Sequence, residues 1–263
     1  MVRGEEVRMT KVLDEFSGDF RNAHWNRLAS GSAKVEESFG LRLSLKNAPS
    51  GRLSVAQIDD YIDRPRSDYL WLPPLILRLK ARVSHVSGEL LGTAGFGFWN
   101  NMAPLWGNGM EVNPNWVWFY YASPQSTISL TGGMANGWKA SVVNGGRGGE
   151  RSMAAANTFM RIPLLGRLLT GVRMPAREKA LDGFDPTLWH EFEIHWLPEA
   201  IHFRIDGDEV LAARVKVTIP LAFVAWIDNN FATIKPNGGF EVGNLAIEQE
   251  QSMMIQNLEI SQG

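Results

Sequence analysis

Alternation with period two, cut at short intervals by Gly, Pro, Asn or Asp, runs through most of this chain and constrains its fold more than any other feature. Successive side chains of an extended strand point to opposite faces, so an apolar residue at every second position marks a strand with one face against a core. Arg42 to Lys46, Leu75 to Val86, Val117 to Ala122, Phe192 to Trp196, Ile201 to Ile205 and Ala222 to Asp228 carry the pattern most clearly. Asp206-Gly207 lies between two such runs and suits the positive backbone angles of a tight hairpin. The departure is the stretch from about Glu150 to Ala180. There Met153, Ala156, Phe159, Met160, Leu164, Leu165, Leu168 and Leu169 follow a helical period that Pro163 and Gly166 should break. The pattern predicts an all-β chain with a helical insertion near residues 150–180. No linker divides it, so a single domain over 1–263 is expected.

Composition narrows the function classes. Hydrophobic residues make up 44% and charged residues 21%, enough to build a substantial core. The formal charge of −2 offers no global basic field, so a nucleic-acid partner is not expected. Without cysteine there is neither disulfide nor thiolate chemistry. Met1-Val2-Arg3-Gly4-Glu5-Glu6 does not read as a signal peptide, and no apolar stretch reaches the roughly 18 residues of a spanning helix. A cytoplasmic protein without stable membrane insertion is therefore expected, its oligomeric state left open.

The order of several short motifs adds a resemblance. Val12-Leu13-Asp14-Glu15-Phe16 with Trp25 comes first, followed by Leu75 to Ser84 and then Gly95-Phe96-Gly97-Phe98-Trp99. Trp189-His190-Glu191-Phe192-Glu193-Ile194-His195-Trp196 precedes Ile201 to Val210, and Leu221 to Asn229 and Met254 to Ile260 close the series. Together they resemble glycoside hydrolase family 16, within the concanavalin A-like lectin/glucanase group. The resemblance implies a two-sheet jelly roll over nearly the whole chain, and a cleft strand bearing Glu-x-Asp-x-(x)-Glu. The strand it points to, Asn115 to Tyr121, carries no carboxylate. Its two faces offer Trp116, Trp118 and Tyr120, or Val117, Phe119 and Tyr121, and Glu111 upstream has no partner two or four residues onward. Retaining hydrolysis needs carboxylates roughly 5 to 5.5 Å apart, so this mechanism is not expected.

What remains for a site is aromatic. Trp116, Trp118 and Tyr120, with Trp99 and Asn100 before them, Trp138 after them and Trp226 on a late strand, are candidate ligand-binding residues. Their large faces stack on sugar rings or enclose an apolar molecule, although core packing explains aromatic strand residues equally well. Asp228 is the candidate acid or base, because period two puts it on one face with Trp226, where desolvation would raise its pKa. The plainer role is a strand-end turn in which Asp228 bonds nearby backbone. Glu191, Glu193 and His195 read as a solvated strand face, and His190 and His195 differ in parity, so no shared metal is expected. Asp59, Asp60, Asp63 and Asp68 lack the spacing of a calcium loop and read as a solvated stretch paired with Arg64 and Arg66. No cofactor is expected.

Two functions stay open. One is a cleft for a largely apolar small molecule, either bound only or also rearranged by cyclase- or isomerase-like acid-base chemistry. The other is carbohydrate recognition, as a binding module or as a glycoside hydrolase using other carboxylates.

Overall fold

The computed structural model describes residues 10–17, 24–100, 115–127, 129, 134–145, 176–234 and 240–263. In chain order its strands are β1 (Thr10–Asp14), β2 (Asn26–Ser30), β3 (Ala33–Glu37), β4 (Leu41–Leu45), β5 (Val55–Asp59) and β6 (Leu75–Val83). Next come β7 (Thr93–Trp99), β8 (Asn115–Ala122), β9 (Gly137–Asn144), β10 (Ala176–Ala180), β11 (His190–Trp196) and β12 (Ile201–Ile205). Then follow β13 (Asp208–Ala213), β14 (Ala222–Asp228), β15 (Asn230–Ile234), β16 (Phe240–Asn244) and β17 (Gln251–Gln262). The first sheet runs β13-β12-β11-β6-β17-β4-β3, with β1 also on β17, and the second runs β10-β9-β8-β7-β14-β5-β2. β15 and β16 form a separate ribbon. Two large antiparallel sheets packed face to face make a jelly-roll sandwich.

Period two sets the interior. On β6, Leu75, Leu77, Leu79, Ala81 and Val83 are buried, while Lys80 and Arg82 are exposed. β17 keeps the same rule by breaking register. Met253 and Ile255 point inward in its first half, Leu258 and Ile260 in its second, and the parity changes across a bulge between Gln256 and Glu259. Asn257 sits in the bulge at φ 52, a left-handed conformation that Asn adopts more readily than most residues. The hairpin between β12 and β13 turns at Asp206 and Gly207, with φ of 53 and 87, as their side chains predict.

Rings from both sheets meet in the middle. Phe96 packs on Phe192 with centroids 5.1 Å apart, Phe119 on Phe203 at 5.1 Å, and Phe98 on Trp196 at 5.6 Å. These contacts fix which face of the second sheet looks outward.

Two expectations need correction. Residues 150–175 of the expected helical insertion lie outside the described residues, but its last five, Ala176–Ala180, form strand β10 against β9. Ala-Arg-Glu-Lys-Ala is a string of good helix formers, and pairing along a free sheet edge overrides that preference. Asp59 and Asp60 are buried, not solvated, and their carboxylates are held by protein donors.

Candidate functional site

Because Val117, Phe119 and Tyr121 are wholly buried between the sheets, Trp116, Trp118 and Tyr120 stand on the outward face of β8. Register places Gly97 of β7 beside Trp118 and Gly95 beside Tyr120, with Val224 and Trp226 of β14 on the far side of the glycines. The glycines are required here. A Cβ on Gly97 would stand 2.6 Å from Trp118 Cβ, and one on Gly95 would stand 2.7 Å from Trp226 Cη2. A shallow trough along β7 thus lets Trp118 and Trp226 approach across an intervening strand, with ring centroids 5.1 Å apart.

Trp118 is the hub. It stacks on Trp116 at 5.0 Å and 19°, and lies 5.9 Å from Trp99 and 6.0 Å from Tyr120. Trp116 donates to Ser141 Oγ at 3.0 Å and Trp226 to Thr93 Oγ1 at 2.9 Å. The indole Nε1 atoms of Trp99 and Trp118 are buried without a hydrogen-bond partner among the described residues. Trp99, Trp118, Tyr120 and Trp226 are partly exposed, and Trp116 is buried.

The other sequence candidates fall elsewhere. Asn100 ties two strand ends together, accepting the Asn115 amide at 3.1 Å on its Oδ1 and the Arg66 Nε at 3.0 Å on its carbonyl. Trp138 is a correction: β9 turns it inward, where it packs on Tyr121 at 5.6 Å and Phe184 at 6.3 Å. Its neighbour Lys139 takes the outward position instead.

Asp228 does share the outward face with Trp226. Its carboxylate accepts from Thr93 N at 3.2 Å, Thr93 Oγ1 at 2.8 Å, Asn230 N at 2.9 Å and Asn230 Nδ2 at 2.8 Å. Burial pushes its pKa up while these four donors pull against it. The geometry is that of an Asx turn closing β14 onto β15.

A cluster that the sequence did not single out lies beyond Tyr120. Tyr120 Oη donates to Glu178 Oε2 at 2.7 Å, and Lys139 Nζ donates to Tyr120 Oη at 3.2 Å and Ala135 O at 2.8 Å. Lys139 Nζ also stands 3.6 Å from Glu178 Oε1, with 1% and 3% of the two side chains exposed. Burial holds Lys139 below the usual ammonium range, partly offset by Glu178, and pushes the Tyr120 phenol far up with Glu178 adding to the shift. The alternation of Ala176, Glu178 and Ala180 was the available signal, masked by the helical reading of that stretch.

The strands of this sheet carry three carboxylates on the outward face: Asp59, Asp228 and Glu178. Asp59 pairs in register with Val224, four residues from Asp228, which places the two Cα atoms roughly 14 Å apart from strand geometry. Glu178 on β10 lies four strands from Asp228 and five from Asp59, roughly 19 to 24 Å across the sheet. Glycosidic cleavage by two carboxylates needs carboxyl groups roughly 5 to 9.5 Å apart, and side chains standing side by side on one sheet face keep about their Cα spacing, which is wider than that for every pair of the three. Glu111 lies outside the described residues.

No protein-family model matches the chain, and no curated protein matches its sequence. Solved structures do. The catalytic domain of an endo-1,3-β-glucanase (laminarinase) from Thermotoga petrophila RKU-1 superposes with a TM-score of 0.53 at 11% identity, covering 97% of this chain and 98% of that one. A β-1,3-1,4-glucanase (lichenase) from a mouse hindgut metagenome gives 0.53 at 12%, covering 96% and 99%. The fold is that of the concanavalin A-like glucanases. At such identity the likeness carries the architecture alone. A sialidase also matches, with a TM-score of 0.51 at 12% identity over 96% of this chain, but the chain spans 18% of that protein. Among the described residues no helix is long and apolar enough to cross a membrane.

Proposed function

We propose that the outward face of the second sheet is a carbohydrate-binding cleft, in which sugar rings lie on Trp118, Trp226 and Trp99 within a single jelly-roll domain. The observation that carries this reading is the aromatic cluster centred on Trp118, set in a trough that Gly95 and Gly97 keep open. Flat, partly exposed indoles suit the apolar faces of pyranose rings. The fold neighbours support the same ligand class, since they are named as enzymes acting on β-glucans. An enzymatic role stays within the proposal; among the described residues, the spacing of Asp59, Asp228 and Glu178 gives no pair for the two-carboxylate route.

Of the two functions the sequence left open, this is the better supported. An apolar small molecule would fit the same indoles, and Ala222 and Val224 beside them are apolar. No observation favours cyclisation or isomerisation in particular.

The deciding experiment is a calorimetric titration with laminari- and mixed-linkage gluco-oligosaccharides beside an apolar fluorescent probe. Saturable oligosaccharide binding that weakens about tenfold or more in Trp118→Ala supports the cleft. Binding of the apolar probe alone would shift the assignment to the second reading. Release of reducing sugar from laminarin or lichenan that disappears in Glu111→Gln would make the protein a hydrolase.

A further inference from the structure

The outward face of the first sheet holds a second hollow, on the opposite side of the sandwich from the aromatic cleft. Register sets Met254 of β17 between Arg82 of β6 and Arg42 of β4. One position further, the floor is made of serines: the Ser84 amide donates to Ser252 O at 2.9 Å, and the Ser252 amide donates to Ser84 Oγ at 2.8 Å. Two long arginines beside small serines leave a hollow of about 310 Å³, lined by Arg42, Arg82, Ser84, Thr187, Ser252 and Met254.

Arg82 is the wall that points to a ligand. Its guanidinium lies 4.9 Å over the Trp189 ring, and its side-chain hydrogen bond goes to Met254 Sδ at 3.5 Å, a weak acceptor. Among the described residues no carboxylate pairs with it. Stacking on the indole holds the fork in place and leaves its in-plane N–H groups for a stronger acceptor. Opposite, Arg42 is paired with Glu250 at the rim and stands beside Glu36 in register, so its charge is partly spent. Thr187 donates its hydroxyl to Asp185, whereas the Ser252 hydroxyl has no partner among the described residues.

We infer that this hollow binds a tetrahedral oxyanion, phosphate or sulfate. The two arginine Cα positions are separated by two strand spacings, about 9.6 Å, with Met254 between them, and the Ser252 hydroxyl lies on the same face two residues along β17, about 7 Å away, so the two guanidinium groups and this hydroxyl border the hollow from three sides. A shell of oxygens answers such an arrangement better than a planar carboxylate does. The volume falls at the lower end of small-molecule pockets and leaves room for a group esterified to the anion, such as one sugar ring.

Calorimetric titration at constant ionic strength tests this, with inorganic phosphate, sulfate and glucose 6-phosphate as probes and glucose as the neutral control. The anions should bind saturably, glucose should not, and Arg82→Gln should weaken anion binding at least tenfold, Arg82→Lys less. Trp118→Ala should leave it unchanged. Tighter binding of glucose 6-phosphate than of phosphate would identify an esterified ligand, and equal binding a free anion. The inference is overturned if no anion binds up to 10 mM (roughly the weakest affinity worth calling a site), or if a folded Arg82→Gln variant binds as well as wild type. Should Arg82→Gln not fold, Arg42→Gln carries the same comparison with the same two outcomes.

Discussion

At the scale of single residues, the outward face of the second sheet separates groups that are free to meet a ligand from groups already committed. Asp228 receives four donors, three of them on Oδ1 and one on Oδ2, so its negative charge is matched within the fold. Asp228→Asn replaces one accepting oxygen with an amide that faces those donors. It should lower stability by about 2 to 3 kcal/mol while changing oligosaccharide affinity less than twofold, as read from urea midpoints and calorimetry on the same samples. A folded Asp228→Asn protein that keeps its stability but loses ligand affinity or turnover would return Asp228 to the working site. The residue pattern made the Trp226 and Asp228 pairing legible, because period two alone puts them on one face. It did not reveal the turn, which depends on Thr93 arriving from a strand 135 positions away.

Elements explain which parts of the site the sequence concealed. β8 was readable because its inward residues are all apolar or aromatic and its neighbours are long strands with the same alternation. Trp138 was misplaced because parity could not be counted across the gap between β8 and β9 without knowing that Tyr121 faces Trp138 in register. Glu178 was missed because β10 is a short edge strand of helix-favouring residues, defined only by its partner. That edge is held by the Lys139, Tyr120 and Glu178 cluster, in which removing one charge strands the other in a dry place. Lys139→Met should therefore destabilise the protein by about 3 to 5 kcal/mol, whereas Lys139→Met with Glu178→Gln should recover much of the loss. Urea denaturation of both variants and of Glu178→Gln forms the cycle, and additive losses would show that the two groups do not depend on each other. The bulge in β17 gives a second test: Asn257→Val forces a β-branched residue to φ 52 and should cost about 1 to 3 kcal/mol, while Asn257→Gly should be close to neutral.

For the whole molecule, burying polar groups between and beside the sheets makes stability depend on pH, and Asp60 is the clearest case. It lies just past β5, where Trp71 Nε1 donates to it at 2.6 Å and the Phe223 amide donates at 2.8 Å, so one carboxyl joins the 60–71 loop to β14. Burial pushes its pKa up to about 6 from 3.8, with those two donors pulling it back and Asp59 adding to the rise. Since the folded value is the higher one, the contribution to stability is full below about pH 3.8 and is lost as pH rises through about 6. Over those two units the loss amounts to about 3 kcal/mol at most. Asp206 works in the opposite sense: burial raises its pKa, but hydrogen bonds from His190 and the Glu191 amide and the His190 charge outweigh that and leave it lowered. Its stabilisation is present above the ordinary carboxylate pKa and fades in stronger acid, so the raw pH curve of the protein mixes both signs. Asp60→Asn isolates the one term, because asparagine keeps an acceptor for the Phe223 amide and carries no titrating proton. Urea midpoints measured from pH 4 to 8 should show wild type losing stability relative to Asp60→Asn as pH rises, most steeply near pH 5, midway between the unfolded and folded pKa values, and levelling off above about pH 7. Parallel curves for the two proteins would mean that Asp60 titrates alike in the folded and unfolded chains, and that its burial beneath Trp71 imposes no pH dependence on the fold.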